Sequence, residues 1–439
     1  MILEEECGMN IGSVLRECKR RKSRQQYPYF FPCSRASSVN SVVGLDSIVL
    51  HAHGLILRLL LCTMPHNRMT HKQPARVALV HDWLTGMRGG EKVLEVLCEL
   101  FPEATLFTLI HNRGSVSPSI ERMRIRTSFL QSAPMRKERY RNYLPLFPLA
   151  IESFDFRGYD MILSTSHAVA KGAKPAPGAL HICYCHTPMR YVWDMHDEYF
   201  GPGRAGLLTR LGMKALAPRL RAWDVRTSSR VHYFLANSEN VARRIMRTYR
   251  RKADVLHAPV DTSTFTLSKK KGDFYLIVSA LVPYKRVDLA VEVFSRTGKR
   301  LAIVGKGPDL EKLKARAGKT IEFLGWQSDD QLARLYGASR AIVFPGVEDF
   351  GIVPLEAMAC GKPVIAFKAG GALETVIDGV TGSFFDTQTP EALENAVLLS
   401  EGTRFSPAGI RRHAMRFDRA RFKKKIRDYI SAKQKLHLS

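Results

Sequence analysis

The chain has 439 residues, 45% of them hydrophobic, and a formal net charge of +26. That length and apolar content are enough for two or three packed domains. The eight cysteines (Cys7, Cys18, Cys33, Cys62, Cys98, Cys183, Cys185, Cys360) are scattered without a disulfide or zinc spacing, which excludes a stapled or zinc-built fold and suits reduced thiols.

Residues 1–73 mix acids with the basic run Lys19-Arg20-Arg21-Lys22 and keep no sustained period, so they are expected to form a poorly structured N-terminal extension. Ser47 to Met64 is apolar but carries His51, His53 and Arg58, too short and too charged for a membrane span. It also lies too far along the chain for a signal peptide. The simplest reading is that translation begins at Met64 or Met69, and the intact mass of the native protein is expected to match such a start.

From Ala75 onward apolar runs alternate with helix-length segments. Buried parallel strands are expected at 76–80, 105–109, 160–164, 180–185 and 232–236, with a helix at 91–101. A second series follows Pro259, with strands at 274–279, 300–304, 320–324, 341–345, 363–367 and 382–385. Helices are expected at 287–297, 308–317, 329–337 and 390–400. Two such series predict two doubly wound α/β domains, 74–260 and 261–414, followed by a terminal segment, 415–439. In such sheets ligands bind at the carboxyl ends of the strands, so the chemistry is expected in the cleft between the domains.

Charge concentrates between Arg204 and Arg230, between Arg243 and Lys252, and from Arg411 to Lys435. Leu207, Leu208, Leu211, Leu216, Leu220 and Trp223 interleave with the first basic group, the pattern of an amphipathic helix lying on anionic lipid headgroups. A solvated helix face beside an ordinary core stripe gives the same pattern. Nucleic-acid binding calls for aromatic platforms among the arginines or a reading module, and neither is found.

The most informative stretch runs from Phe344 to Pro363. A strand ends at Pro345, a loop carries Glu348 and Gly351, and a helix is expected from Pro354 to Gly361. The amides of Gly351, Ile352 and Val353 then sit at a helix N-terminus, where a diphosphate is favoured by the dipole and by free N–H groups. Glu356 can point at vicinal hydroxyls such as those of a ribose, and Glu348 can reach a sugar on the same diphosphate. Gly89 and Gly90 form a loop after the first strand, suited to close approach of phosphate or acceptor.

The pair Glu348 and Glu356, with Phe350-Gly351 and the run Glu356-Ala-Met-Ala-Cys-Gly-Lys-Pro-Val364, resembles the signature of the retaining glycosyltransferases of family 4, which have the GT-B fold. Further phrases resemble the subgroup of O-antigen mannosyltransferases: Val80-His-Asp-Trp-Leu-Thr85, Cys185-His-Thr-Pro-Met-Arg-Tyr191, Ala236-Asn-Ser238 and Leu281-Val-Pro-Tyr-Lys-Arg286.

The resemblance implies two Rossmann-like domains facing across a cleft, with the terminal helix returning to the first. It implies that Lys285 neutralises the donor diphosphate, that His186 contacts the transferred sugar, and that Glu348 orients rather than attacks. Glu356, Arg286, Phe350, Gly351, Ile352, Val353, Gly89 and Gly90 would bind the donor, with Asp82, Trp83, Tyr191 and Trp193 as further sugar or acceptor contacts. Base recognition would run along the backbone near Gly325-Trp326, and Gly305-Lys306-Gly307-Pro308 would flank the nucleotide or simply close a tight connection. It implies a nucleotide-sugar donor, GDP-mannose by subgroup or else a UDP-sugar, no metal and no other cofactor. The acceptor would be a lipid-linked glycan, met at the inner face of the cytoplasmic membrane. One departure stands out: Ala280 replaces an arginine the family carries after this strand, which would remove a phosphate contact of about 1.5–3 kcal/mol. A nucleotide-sugar-binding protein with impaired turnover is therefore the alternative.

Overall fold

The computed structural model describes residues 75–194, 206–268, 270 and 272–439. Expectations for residues 1–73, for Arg204 and for four of the cysteines lie outside them. Cys98, Cys183, Cys185 and Cys360 are buried and free.

Two parallel sheets make up the described chain. The first has seven strands: β1 (Val77–His81), β2 (Thr105–Thr108), β3 (Arg124–Thr127), β4 (Met161–Ser166), β5 (Leu180–Cys185), β6 (Tyr233–Ala236) and β7 (Ala253–Val255), in the order β3-β2-β1-β4-β5-β6-β7. The second has six: β8 (Tyr275–Val278), β9 (Leu301–Val304), β10 (Ile321–Gly325), β11 (Ala341–Phe344), β12 (Val364–Phe367) and β13 (Gly382–Phe385), ordered β10-β9-β8-β11-β12-β13. The longer helices are α1 (Gly89–Leu100), α2 (Leu207–Thr227), α3 (Glu239–Tyr249), α4 (Val287–Thr297), α5 (Asp329–Ala338), α6 (Ile352–Ala359), α7 (Pro390–Gly402), α8 (Pro407–Ala414) and α9 (Arg419–Leu438). None is long and apolar enough to cross a membrane.

β3 and β7 have no counterpart among the expected strands. Both lie at sheet edges with half-exposed side chains, so neither carries the apolar run that marks a strand buried on both faces. The helix expected over 308–317 is only Leu310–Lys314. α6 begins two residues ahead of Pro354, with Gly351 left-handed at its cap (φ 87°). Proline in the third position is tolerated because first-turn amides have no partner within the helix.

Alternation along β8–β13 separates two cores. Leu276, Ala302, Ile342 and Val364 face α5, α6 and α8, while Ile277, Ile303, Val343 and Ile365 face α4 and α7. The first of these cores runs without interruption into the other sheet, through Val77, Leu79, Leu94 and Leu97. α9 closes the join. Its Phe422, Ile426 and Ile430 are buried, and Arg419 pairs with Glu95 at 3.0 Å while Lys423 pairs with Glu99 at 2.9 Å on α1. The two chain crossings run side by side, with Val260 N–H donating to Phe417 and Arg419 N–H donating to Val260, both at 3.0 Å.

Because Ile426 is 2% exposed between α9 and the first sheet, Ile426→Ala is expected to lower the unfolding free energy by about 2–5 kcal/mol, read from urea denaturation.

Candidate functional site

Strand order reverses between β1 and β4 in one sheet and between β8 and β11 in the other. These switch points are where loops splay apart and ligands bind in open α/β sheets. The expected residues gather there. Lys285 follows β8 and forms an ion pair with Glu348, which follows β11. The N-terminus of α6, with the amides of Ile352 and Val353, opens from the same loop.

Glu356 sits one turn into α6, buried, with both oxygens engaged. Oε2 accepts from the Tyr336 hydroxyl at 2.9 Å, and Oε1 accepts from Lys92 Nζ at 3.0 Å. Lys92 belongs to α1 of the other sheet and also reaches Asp329 at 3.3 Å. Burial alone would lower the Lys92 pKa, but Glu356 and Asp329 outweigh it and raise it. Another hydrogen-bond donor therefore reaches Oε1 only by sharing or displacing Lys92. The two glutamates hold different cations.

From the first sheet, His81, His167 and His186 converge behind the ends of β1, β4 and β5. Gly90 lies directly over them: a Cβ added there would sit 3.5 Å from His186 Nε2 and 3.6 Å from His81 Cε1. Gly89 is equally close to the other half, its hypothetical Cβ only 2.9 Å from Ile352 Cδ1. Gly89 and Gly90 are thus not a loop but the first turn of α1, capped at Arg88 by Glu91, which accepts from the Arg88 amide at 3.0 Å. The His186 Nε2 is sealed from solvent and has no protein partner.

Other expected contacts resolve into structural roles. Asp82 is wholly buried and accepts four backbone amides, from His167 to Ala170, at 2.7–3.0 Å. Burial would raise its pKa, but His167, His81 and those amides hold it below the usual value. Trp83 is buried against Tyr140 and Phe147. Trp193 donates to Asp224 at 2.8 Å. Phe350, expected at the donor, is buried with its ring stacked on His257 at 5.3 Å. Arg286 turns away from Glu348 and binds Asp288 at 3.2 Å. Gly305 and Gly307 serve close packing, since any Cβ there would strike the carbonyls of Ser279 and Leu281. Tyr191 is half-buried, and Trp326 is 67% exposed beside the turn at Gly325.

The residues that join the halves were not anticipated. Asp349, next to Glu348, is buried between Arg190 and Arg244 of the first sheet, and its carbonyl accepts from Ser238 at 2.7 Å. Burial raises its pKa, but the two guanidinium groups hold it below the ordinary carboxylate value. Glu374 accepts the Glu239 and Asn240 amides at the start of α3, at 2.8 and 2.9 Å, and meets His257 at 3.0 Å. Arg190 lies in the quoted Cys185–Tyr191 phrase and Asp349 beside a chosen glutamate, but nothing in their spacing says they meet. Among the described residues, no group of three His, Cys, Asp or Glu is placed to hold a metal ion.

Residues 261–403 match the family model described as Glycosyl transferases group 1. That span contains β8 to β13 and every residue of the Lys285–Glu348–Glu356 cluster. The chain is 36% identical over 135 residues to an uncharacterized glycosyltransferase of Methanocaldococcus jannaschii, covering 29% of this chain and 38% of that protein. It is 35% identical over 161 residues to a GDP-mannose-dependent alpha-(1-6)-phosphatidylinositol monomannoside mannosyltransferase of Mycolicibacterium smegmatis, covering 32% and 42%. The chain thus spans well under half the length of these curated relatives. The structure of Anabaena HepE in complex with UDP and glucose superposes with a TM-score of 0.62 at 17% identity, over 82% of this chain and 100% of that one. At that identity the likeness shows the fold, two Rossmann-like sheets in the GT-B arrangement.

Burial lowers the pKa of His181 and of His186 to about 3. In the unfolded chain each takes up a proton near pH 6.5, at about the free imidazole value. Between those limits the unfolded state binds more protons, so stability rises with pH, is complete above about 6.5, and is lost as pH falls toward 3. Urea midpoints measured from pH 7 down to pH 4 are expected to fall, with a shallower slope for His186→Gln.

Proposed function

We propose that the chain is a retaining glycosyltransferase that moves a hexose, mannose from GDP-mannose, onto a lipid-linked or polysaccharide acceptor in cell-surface glycan synthesis. The observation that carries the reading is the cluster at the β8/β11 switch point inside the group 1 domain: a buried lysine, Lys285, paired with Glu348 at the mouth of α6. A cation beside free helix amides suits a diphosphate, and a carboxylate beside them suits a sugar.

In the mechanism, Lys285 and the Ile352 and Val353 amides receive the charge that grows on the diphosphate as the bond to the sugar breaks. The acceptor hydroxyl attacks from the face the diphosphate leaves, so configuration is retained, and its proton passes to the departing phosphate oxygen. Glu348 exchanges its bond with Lys285 for the sugar, while His186, kept neutral by burial, meets a hydroxyl with its free nitrogen once the cover at Gly90 shifts from it. Glu356 takes the ribose once Lys92 yields.

Mannose is supported by the name of the mycobacterial relative. A UDP-sugar is the other donor reading, supported by the UDP and glucose held by the Anabaena structure. Peripheral contact with an anionic membrane, at the inner face of the cytoplasmic membrane, is supported by α2. That helix buries Met213, Ala217, Leu220 and Trp223 and exposes Leu211, Lys214, Arg219, Val225 and Arg226. A nucleotide-sugar-binding protein with impaired turnover is favoured by one observation: Ala280 is exposed, and Arg286, the cation that could stand in for the missing arginine, is engaged by Asp288.

A thermal-shift panel of GDP-mannose, UDP-glucose, GDP and UDP tests the reading. A true donor at 100 times its Kd stabilises by about 2.7 kcal/mol, and Glu356→Ala is expected to remove most of that shift for the sugar and the free nucleotide alike. Release of free sugar from the bound donor marks an active transferase. Binding without release, even with acceptor lipid present, marks the impaired protein. Wild-type nucleotide affinity in Glu356→Ala would count against the ribose assignment.

A further inference from the structure

One cavity among the described residues lies away from Glu356. It has a volume of about 490 Å³ and opens on the opposite face of the second sheet, where α4 and the short helix Leu310–Lys314 cover the strands. Its floor includes Leu313, and its walls carry Arg286, Lys312, Arg316, Asp288, Asp309 and Tyr284. Glu356 and Tyr336 belong to the other face, with α5 and α6. The two places adjoin along two pieces of chain: the turn Pro283–Lys285, followed by the left-handed Arg286 (φ 52°), and the loop after β11, where Val347 lines the cavity and Glu348 meets Lys285. A residue with a Cβ adopts that conformation rarely and at a cost, and such positions concentrate at functional sites. Here the left-handed residue separates neighbours: Lys285 meets Glu348, while Arg286 meets Asp288 at the wall of the cavity.

We infer that this cavity is a second ligand site, built for a small saccharide that carries a phosphate. The volume lies within the range of small-molecule pockets. The wall combines three elements that such a ligand needs together. Lys312, which has no acidic partner within ion-pair reach among the described residues, and Arg316, whose contact with Glu292 is a long 3.7 Å, supply cations for a phosphate. Asp288 and Asp309 supply carboxylates that accept sugar hydroxyls, and Gln388 adds an amide at the rim. The Tyr284 side chain stands on the same wall, its ring centroid 5.2 Å from Lys285 Nζ. A bare phosphate would leave the Asp309 carboxylate without a donor, and an uncharged sugar would leave the Lys312 and Arg316 charges unused. The combination selects a ligand with both groups.

The inference stands apart from the donor reading, and its test separates them. Calorimetric titration of the full chain with mannose 6-phosphate, glucose 6-phosphate, mannose and inorganic phosphate is run with and without saturating GDP and UDP. The expected result is binding of a sugar phosphate at least tenfold tighter than either mannose or inorganic phosphate. That binding persists in saturating nucleotide and is lost at least tenfold in Lys312→Ala/Arg316→Ala, a pair of exposed positions at which nucleotide binding stays unchanged. Equal binding of inorganic phosphate reduces the cavity to an anion site and overturns the proposal. So does sugar-phosphate binding abolished by nucleotide, or untouched by the double substitution, or absent up to 10-fold above millimolar concentration. Failure of nucleotides to bind at all, with sugar phosphate still bound, strikes the donor reading alone.

Discussion

The carboxylate of Asp349, held between Arg190 and Arg244, is the contact on which the arrangement of the two sheets rests. It is 7% exposed, and the guanidinium side chains are only 20% and 17% exposed, so all three charges have left most of their water. Stripping such groups of solvent costs several kcal/mol each and is offset only by close, well-directed pairing. Removing Asp349 would take from Arg190 and Arg244 the carboxylate they share, leaving Arg244 with Asp194 and Thr187. The geometry is therefore specific: it admits one placement of the β11–α6 loop against the first sheet. That same loop carries Glu348 on one side of Asp349 and the cap of α6 on the other, so the contact that joins the halves also sets the site.

Around that clamp the cleft is drawn together by charge rather than filled by apolar bulk. Lys92 bridges to Glu356 and Asp329, Glu374 caps α3 from across the gap, and Gly89 abuts Ile352 with no side chain between them. The ion pairs and hydrogen bonds among these contacts are directional, whereas the continuous core beneath, closed by α9, is not. The division of labour is physical. Apolar packing is non-directional and holds the halves in one body, while the polar contacts above it are directional.

Much of the fold was legible in the chain. Short, largely buried strands bounded by polar or turn residues stand out in the chain, so 180–185 and 382–385 were read to the residue, and α4 was read from its helical period. β3 and β7 were not legible, because their four and three residues are half-exposed and carry no apolar run. The start of α6 was misplaced by two residues, since proline marks a first turn but does not say which position in it. Glu348, Lys285 and His186 lie just beyond strand ends, as their place in the strand–loop pattern implied, and Gly351 caps α6. Asp82, Trp83 and Phe350 were picked by the same logic and turned inward, because a strand end offers both a cleft and a core and the residue type does not choose between them.

What the sequence determined by itself was local and periodic: the order of strands and helices, the two sheets they imply, and the turn residues that put a helix N-terminus after β11. What only the tertiary structure decided was pairing across distance. Asp349 finds Arg190 and Arg244, Glu356 finds Lys92, and Lys285 and Arg286, adjacent in the chain, look into different places. Spacing along a chain encodes which face of its own element a residue occupies. It does not encode what another element, a hundred residues away, brings to that face.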